Sequence, residues 1–159
     1  MLISVYGFAV KFHFYGPLKR FLNEYKVLLR SVSLYLYQKY NAMKKIFHLS
    51  TCKTCQKAIA FLNPPSDCEL IDIKPQGISS DDLEQMRAHT DSYESLFSRR
   101  AMLFRQRNLG DKNLTEDDYQ KLILEHYTFL KRPVILTSDA VFIGSAKKSL
   151  EAAQKALHG

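Results

Sequence analysis

An α/β domain, in which a small mixed sheet is flanked by helices, is the fold this sequence predicts. Two observations carry the prediction. Short apolar runs alternate with helical patterns in the order β-α-β, helices, β-β-α over residues 43–159. Hydrophobic residues make up 46% of a 159-residue chain, enough to bury the core of one ordinary domain.

The elements follow in chain order. Lys45–Leu49 (KIFHL) reads as a short strand. Lys53–Leu62 reads as a helix stopped by Asn63-Pro64-Pro65, because proline cannot continue a helical hydrogen-bond ladder. Cys68–Ile73 (CELIDI) reads as a second strand. Asp81 with Glu84 resembles a capping pair and opens a helix to about His89, and Asp91 with Glu94 opens another. Thr115 with Asp118 opens a helix through about Glu125. Pro133–Thr137 (PVILT) and Val141–Ile143 (VFI) flank Ser138-Asp139-Ala140 as a hairpin, and a helix from Ser145 to Leu157 closes the chain.

Charge divides the chain at Met43. Residues 1–42 carry six basic residues and one acid, whereas residues 43–159 carry 17 basic and 15 acidic. The net charge of +7 is therefore mostly upstream, and the body has no polyanion footprint, so no direct nucleic-acid contact is expected. The opening MLISVYGFAV stops at Lys11, too short for a membrane span and without the basic start of a signal peptide. Three cysteines make no disulfide scaffold, which points to a reducing, cytoplasmic setting. In residues 1–42, Leu18, Phe21, Leu22, Tyr25, Leu28, Leu29, Val32 and Leu36 recur at helical spacing behind Pro17. This segment reads as an amphipathic extension or as reading frame upstream of a true start at Met43, and the second is the expectation.

HLSTCKTCQKAIAFL places Cys52 where the first strand hands over to the first helix. Amide groups at a helix start carry partial positive charge, stabilise a thiolate and lower its pKa. Lys53 and Lys57 add positive charge. Cys55 lies one turn on, so Cys52 can attack and Cys55 can resolve the product as a disulfide. A C-x-x-C can also be half of a zinc site, but no second C-x-x-C or H-x-x-x-H follows. Two structural thiols are a further reading. Redox or nucleophilic chemistry is favoured, since C-x-x-C beside a β-α unit is a thioredoxin-like signal. Cys68 reads as a small core residue. His48 either supports the thiolate or packs at the strand end. Arg132, before Pro133, can project beside the thiols as a bidentate anion ligand or sit in a surface ion pair. Arg99 and Arg100 are anion ligands or solvated charges.

Together, MKKIFHLSTCKTCQKAIAFL, ESLFSRRAMLF and LILEHYTFLKRPVILTSDAVFIG resemble the arsenate reductase family that couples to glutaredoxin or thioredoxin, and its sister group, the Spx-type regulators. The resemblance covers about Met43 to Leu157. It implies a thioredoxin-like fold with a helical insertion between about residues 80 and 128. It implies Cys52 as nucleophile, His48 as promoter of the thiolate, and Arg132 before a cis Pro133. Reductases of the glutaredoxin-coupled type surround the oxyanion with three arginines. Here the first position reads Ser98 with Arg99 adjacent, the third reads near Ser145, and Gln56 replaces the arginine that usually follows the nucleophile loop. The Spx side of the family has the same C-x-x-C, a Ser/Thr-Arg pair matched by Ser98-Arg99, and a basic pair matched by Lys131-Arg132. The resemblance implies a thiol-disulfide oxidoreductase acting on a small oxyanion or disulfide, with no bound cofactor and with reducing equivalents from thioredoxin or from glutaredoxin and glutathione. For a regulator, it implies binding to the C-terminal domain of the RNA polymerase α subunit.

Every motif used here lies after residue 42. A chain beginning at Met43 is therefore expected to unfold cooperatively, keep its thiol reactivity and lose less than about 1 kcal/mol of stability in urea titration. Aggregation or a far lower melting temperature would show that Leu22, Tyr25 and Leu29 cover part of the core.

Overall fold

In the computed structural model, residues 44–159 are described, and the extension expected over residues 1–42 lies outside them. Four strands form one mixed sheet in the order β2-β1-β3-β4, with β1 at Lys44–His48, β2 at Cys68–Asp72, β3 at Val134–Leu136 and β4 at Val141–Ile143. β1 runs parallel to β2 and antiparallel to β3, and β3 runs antiparallel to β4. The parallel pair needs a crossover, and the helix Lys53–Leu62 (α1) supplies it.

Alternation along the strands builds a core on each face. Ile46 and Ile135 point to the face covered by α1 and the C-terminal helix Lys147–His158 (α7), where Ala58, Leu62, Ala153 and Leu157 pack. Phe47 and Val134 point to the opposite face, where the insertion packs through Leu83, Met86, Leu96, Phe97, Ile123 and Phe129. Between β2 and β3 run five helices: Ile73–Gln76 (α2), Ser80–Ala88 (α3), Tyr93–Leu96 (α4), Met102–Gln106 (α5) and Glu116–Glu125 (α6).

Caps explain the boundaries. Asn63, left-handed at φ 43°, ends α1 with its N–H on the Ile59 carbonyl, and the prolines follow. Thr115 and Asp118 form a reciprocal capping box at α6. Strand and helix ends shift by a residue or two, and three of the shifts have a cap as their cause. Asp81 lies inside α3, whose cap is Ser79, its hydroxyl accepting from the Asp82 N–H. Ser92, not Asp91, caps α4 by accepting from the Ser95 N–H. Serine hydroxyls suit these caps as well as carboxylates do, so the first acid of the run did not mark the start. Ile73 leaves the strand for α2 because Asp72 accepts from the Lys74 N–H and turns the chain.

One short ladder ties the insertion to the sheet. The Ser98 N–H donates to the Phe129 carbonyl at 2.6 Å and the Lys131 N–H to the Leu96 carbonyl at 2.8 Å, around an antiparallel bridge between Phe97 and Leu130. Phe97 stacks on Phe129 with centroids 5.2 Å apart and meets Tyr119 at 4.9 Å. The backbone is thus anchored on either side of the bridge, immediately before Arg132 and β3.

A second tie is ionic. Lys45 on β1, 9% exposed, donates from Nζ to Asp82 Oδ1 at 2.6 Å. The Ser79 hydroxyl donates to the other carboxylate oxygen at 2.7 Å. Asp82→Ala would leave a buried ammonium unpaired and remove part of the α3 cap. It is expected to lower unfolding stability by about 2–4 kcal/mol in urea titration, and a loss below 1 kcal/mol would show that Lys45 reaches water.

Candidate active site

Cys52 is the N-cap residue of α1, with extended backbone (φ −91°, ψ 111°). Its N–H donates to the Leu49 carbonyl at 3.0 Å, and its carbonyl accepts the Gln56 N–H at 3.0 Å. The Gln56 side chain donates to the Ser50 carbonyl at 2.6 Å, closing the loop from below. No acidic residue lies in the first turn of α1, so nothing competes with a thiolate for the helix start.

The two thiols of the C-x-x-C differ in character. The backbone N–H of Cys55 holds the Cys52 thiol below its ordinary range, against partial burial, with further help from the Cys55 thiol, the Thr54 N–H and the Arg132 charge. Cys55 is fully buried, and burial pushes its thiol up, reinforced by the hydrogen bond and charge of Cys52. A half-buried low-pKa thiol at the cavity wall is therefore followed, one turn on, by a buried high-pKa thiol. Cys68 packs with the α1–α7 core, and burial together with Asp67 pushes it up to about 11.

Cys52 opens onto a cavity of about 960 Å³. Arg132 borders it from the start of β3, after a cis Arg132–Pro133 bond. Gly144 and Ser145 border it from the end of the hairpin. Gly144 has φ +83°, a conformation that suits glycine, and its N–H donates to the Pro133 carbonyl at 2.8 Å. The insertion supplies Glu94, Ser98, Arg99 and Arg100. Among the described residues, four cations and one acid border this space, which suits an anionic or anion-bearing ligand.

The residues singled out from the sequence divide into two groups. Cys52, Arg132 and Arg99 share the cavity. Arg99 Nη2, however, already donates to Glu94 Oε1 at 2.5 Å and to the Tyr119 hydroxyl at 3.0 Å. His48 is not among the residues lining the cavity. It ends β1 opposite Asp72, whose carboxyl is held low first by the Ser50 hydroxyl, then by the Lys74 N–H, with His48 adding a smaller effect. Tyr119 and the pairing role of Glu94 were not read from the sequence. They lie 20 and five residues from Arg99, and only the folded insertion joins them. Among the described residues, no three His, Cys, Asp or Glu side chains group to hold a metal ion, and no helix is long and apolar enough to cross a membrane.

Residues 47–153 match the model of the ArsC family. The global transcriptional regulator Spx 2 of Bacillus anthracis is 27% identical over 104 residues, which span 64% of this chain and 79% of that protein. The global transcriptional regulator Spx of Bacillus subtilis is 26% identical over 105 residues, with the same coverage. Among solved structures, the arsenate reductase from Vibrio cholerae has a TM-score of 0.58 at 20% identity, covering 74% of this chain and all of that one. An ArsC family related protein from Bacteroides fragilis has a TM-score of 0.61 at 19% identity, covering 71% of this chain and 98% of that one. The two structures speak to the fold, which is thioredoxin-like.

Alkylation tests the asymmetry of the thiols. Its rate follows the thiolate fraction, which rises with pH and levels off above the pKa. Cys52 should therefore reach its plateau at lower pH than an ordinary thiol, and at neutral pH should react at least about tenfold faster than Cys68. Arg132→Ala should move the Cys52 midpoint upward. Equal labelling of all three cysteines by iodoacetamide, read by peptide mass, would defeat the assignment.

Proposed function

The chain belongs to the ArsC family, and on that premise we propose that it is a thiol-disulfide oxidoreductase of arsenate-reductase-like type. The observation that carries this reading is the pairing of a low-pKa Cys52 with a buried, high-pKa Cys55 one turn away. The Cys52 thiolate attacks an oxyanion such as arsenate, or a substrate disulfide. On a disulfide, the new Cys52–S bond releases one thiolate. Cys55 then attacks the Cys52 sulfur, forms the Cys52–Cys55 disulfide and releases the second thiolate. Two electrons leave the protein dithiol and enter the substrate. On arsenate the same two electrons take As(V) to As(III), with release of arsenite and water. Thioredoxin, or glutaredoxin with glutathione, returns the protein to the dithiol.

Arg132 orients the incoming anion and favours the thiolate. His48, at the end of β1 opposite Asp72 and four residues before Cys52, is the group that promotes the thiolate. A second reading has specific support in the Spx relatives. In it, the Cys52–Cys55 disulfide is a redox signal, and the protein is a regulator that binds the α subunit of RNA polymerase.

The resolving step has a direct test. Cys55→Ser should trap Cys52 as a stable mixed disulfide when the protein is mixed with a small disulfide, whereas the wild type should end as the intramolecular Cys52–Cys55 disulfide and be recovered by thioredoxin. Cys52 joined to Cys68 in the peptide map would defeat the mechanism. Redox cycling without turnover of arsenate or disulfides, together with redox-dependent capture of the α-subunit domain, would favour the regulator.

A further inference from the structure

Arg99 borders the cavity onto which Cys52 opens, yet one of its guanidinium nitrogens is already engaged. Glu94 Oε1 accepts from Arg99 Nη2 at 2.5 Å, and the Tyr119 hydroxyl lies 3.0 Å from the same nitrogen. Both Glu94 and Arg99 border the cavity of Cys52. Their side chains are 50% and 60% exposed, so the pair contributes little to stability. What it changes is the field in the cavity. Among the described residues Glu94 is the single carboxylate bordering that space, and it cancels one of their four cations for any incoming anion.

Two substrates feel this differently. Arsenate at neutral pH is a compact mono- and dianion, and its charge is best met by more than one cation, Arg132 and Arg99 together. To reach Arg99 it must displace Glu94 or lie against its charge. A disulfide reacts at neutral sulfur and needs only the path to Cys52 beside Arg132. Resting on the thiol-disulfide reading above, we propose that Glu94 is a specificity-determining residue, an internal anion that occupies Arg99 and biases the site towards disulfides and against small oxyanions. The disulfide chemistry itself is unchanged: Cys52 forms a mixed disulfide with release of one thiolate, and Cys55 displaces the second.

The test separates anion binding from turnover. Protection of Cys52 from iodoacetamide by arsenate gives the anion affinity, and the reaction of reduced protein with 2-hydroxyethyl disulfide gives the disulfide rate. Glu94→Gln keeps the size and an amide oxygen but removes the charge. It should tighten arsenate protection by about 3- to 10-fold relative to its effect on the disulfide rate, with the gain shrinking as salt is added. Glu94→Asp, which keeps the charge, should stay within about twofold of wild type. In the Glu94→Gln background, Arg99→Gln should abolish the gain, because the gain is the release of that guanidinium. The proposal is overturned by an unchanged or weaker protection in Glu94→Gln, by a gain that survives loss of Arg99, or by absence of arsenate protection in every variant. Failure of the oxidoreductase reading would look different: arsenate protection would follow this pattern while neither substrate was turned over.

Discussion

The bridge between Phe97 and Leu130 is the constraint on which the site depends. Cys52 belongs to the β1–α1 unit, whereas Arg99 and Glu94 belong to an insertion that begins after β2 and returns only at β3. Nothing along the chain holds these two parts in register. The Lys45–Asp82 pair ties the insertion to β1, while two backbone hydrogen bonds, Ser98 N–H to Phe129 and Lys131 N–H to Leu96, tie it to the segment that leads into β3. They are shielded by Phe97 stacked on Phe129. In a dry setting such bonds are costly to break, because each leaves an unsatisfied backbone group. The residue after this clamp is Arg132, so the clamp that fixes one wall of the cavity also fixes the cation on the other.

Chemical asymmetry arises from placement rather than residue type. Cys52 and Cys55 are the same side chain one turn apart. The first takes amide hydrogen bonds at the helix start, and the second is turned into the core beneath it. A nucleophile needs charge and access, and a resolving thiol needs to wait until a sulfur is offered to it. The C-x-x-C spacing at the first turn of a helix delivers both conditions. Its oxidised form would exchange two unlike thiols for one neutral bond and remove the negative charge from the cavity mouth.

The sheet and its main helices were legible in the sequence, because β1 and β3 are short apolar runs and because α1 and α6 carry strong start and stop chemistry. The insertion was less so. α2, α4 and α5 are each five residues or fewer, too short for periodicity to show. α2 starts at Asp72, inside what reads as a strand, and α5 starts at Ala101 with no side-chain cap; α4 and the longer α3 start at Ser92 and Ser79, beside acids that look equally suitable in a string. In the site, the thiols and Arg132 stand in local motifs and could be found. The engagement of Arg99 by Glu94 and Tyr119 could not, since it depends on where α6 packs against the Phe97 bridge.

The two apolar clusters lie on opposite faces of the four-stranded sheet, and β1 and β3 are the strands that give buried side chains to both. Packing lost on the insertion face need not loosen α1 and α7. The molecule thus has a seam through its middle: the face that carries α1 and the face that carries the insertion are packed by separate sets of side chains. Ligand selection and thiol reactivity are then separable properties, open to independent drift. A lineage could rebuild the insertion for a new client, whether a small molecule or a protein surface, without disturbing the sulfur chemistry beneath it.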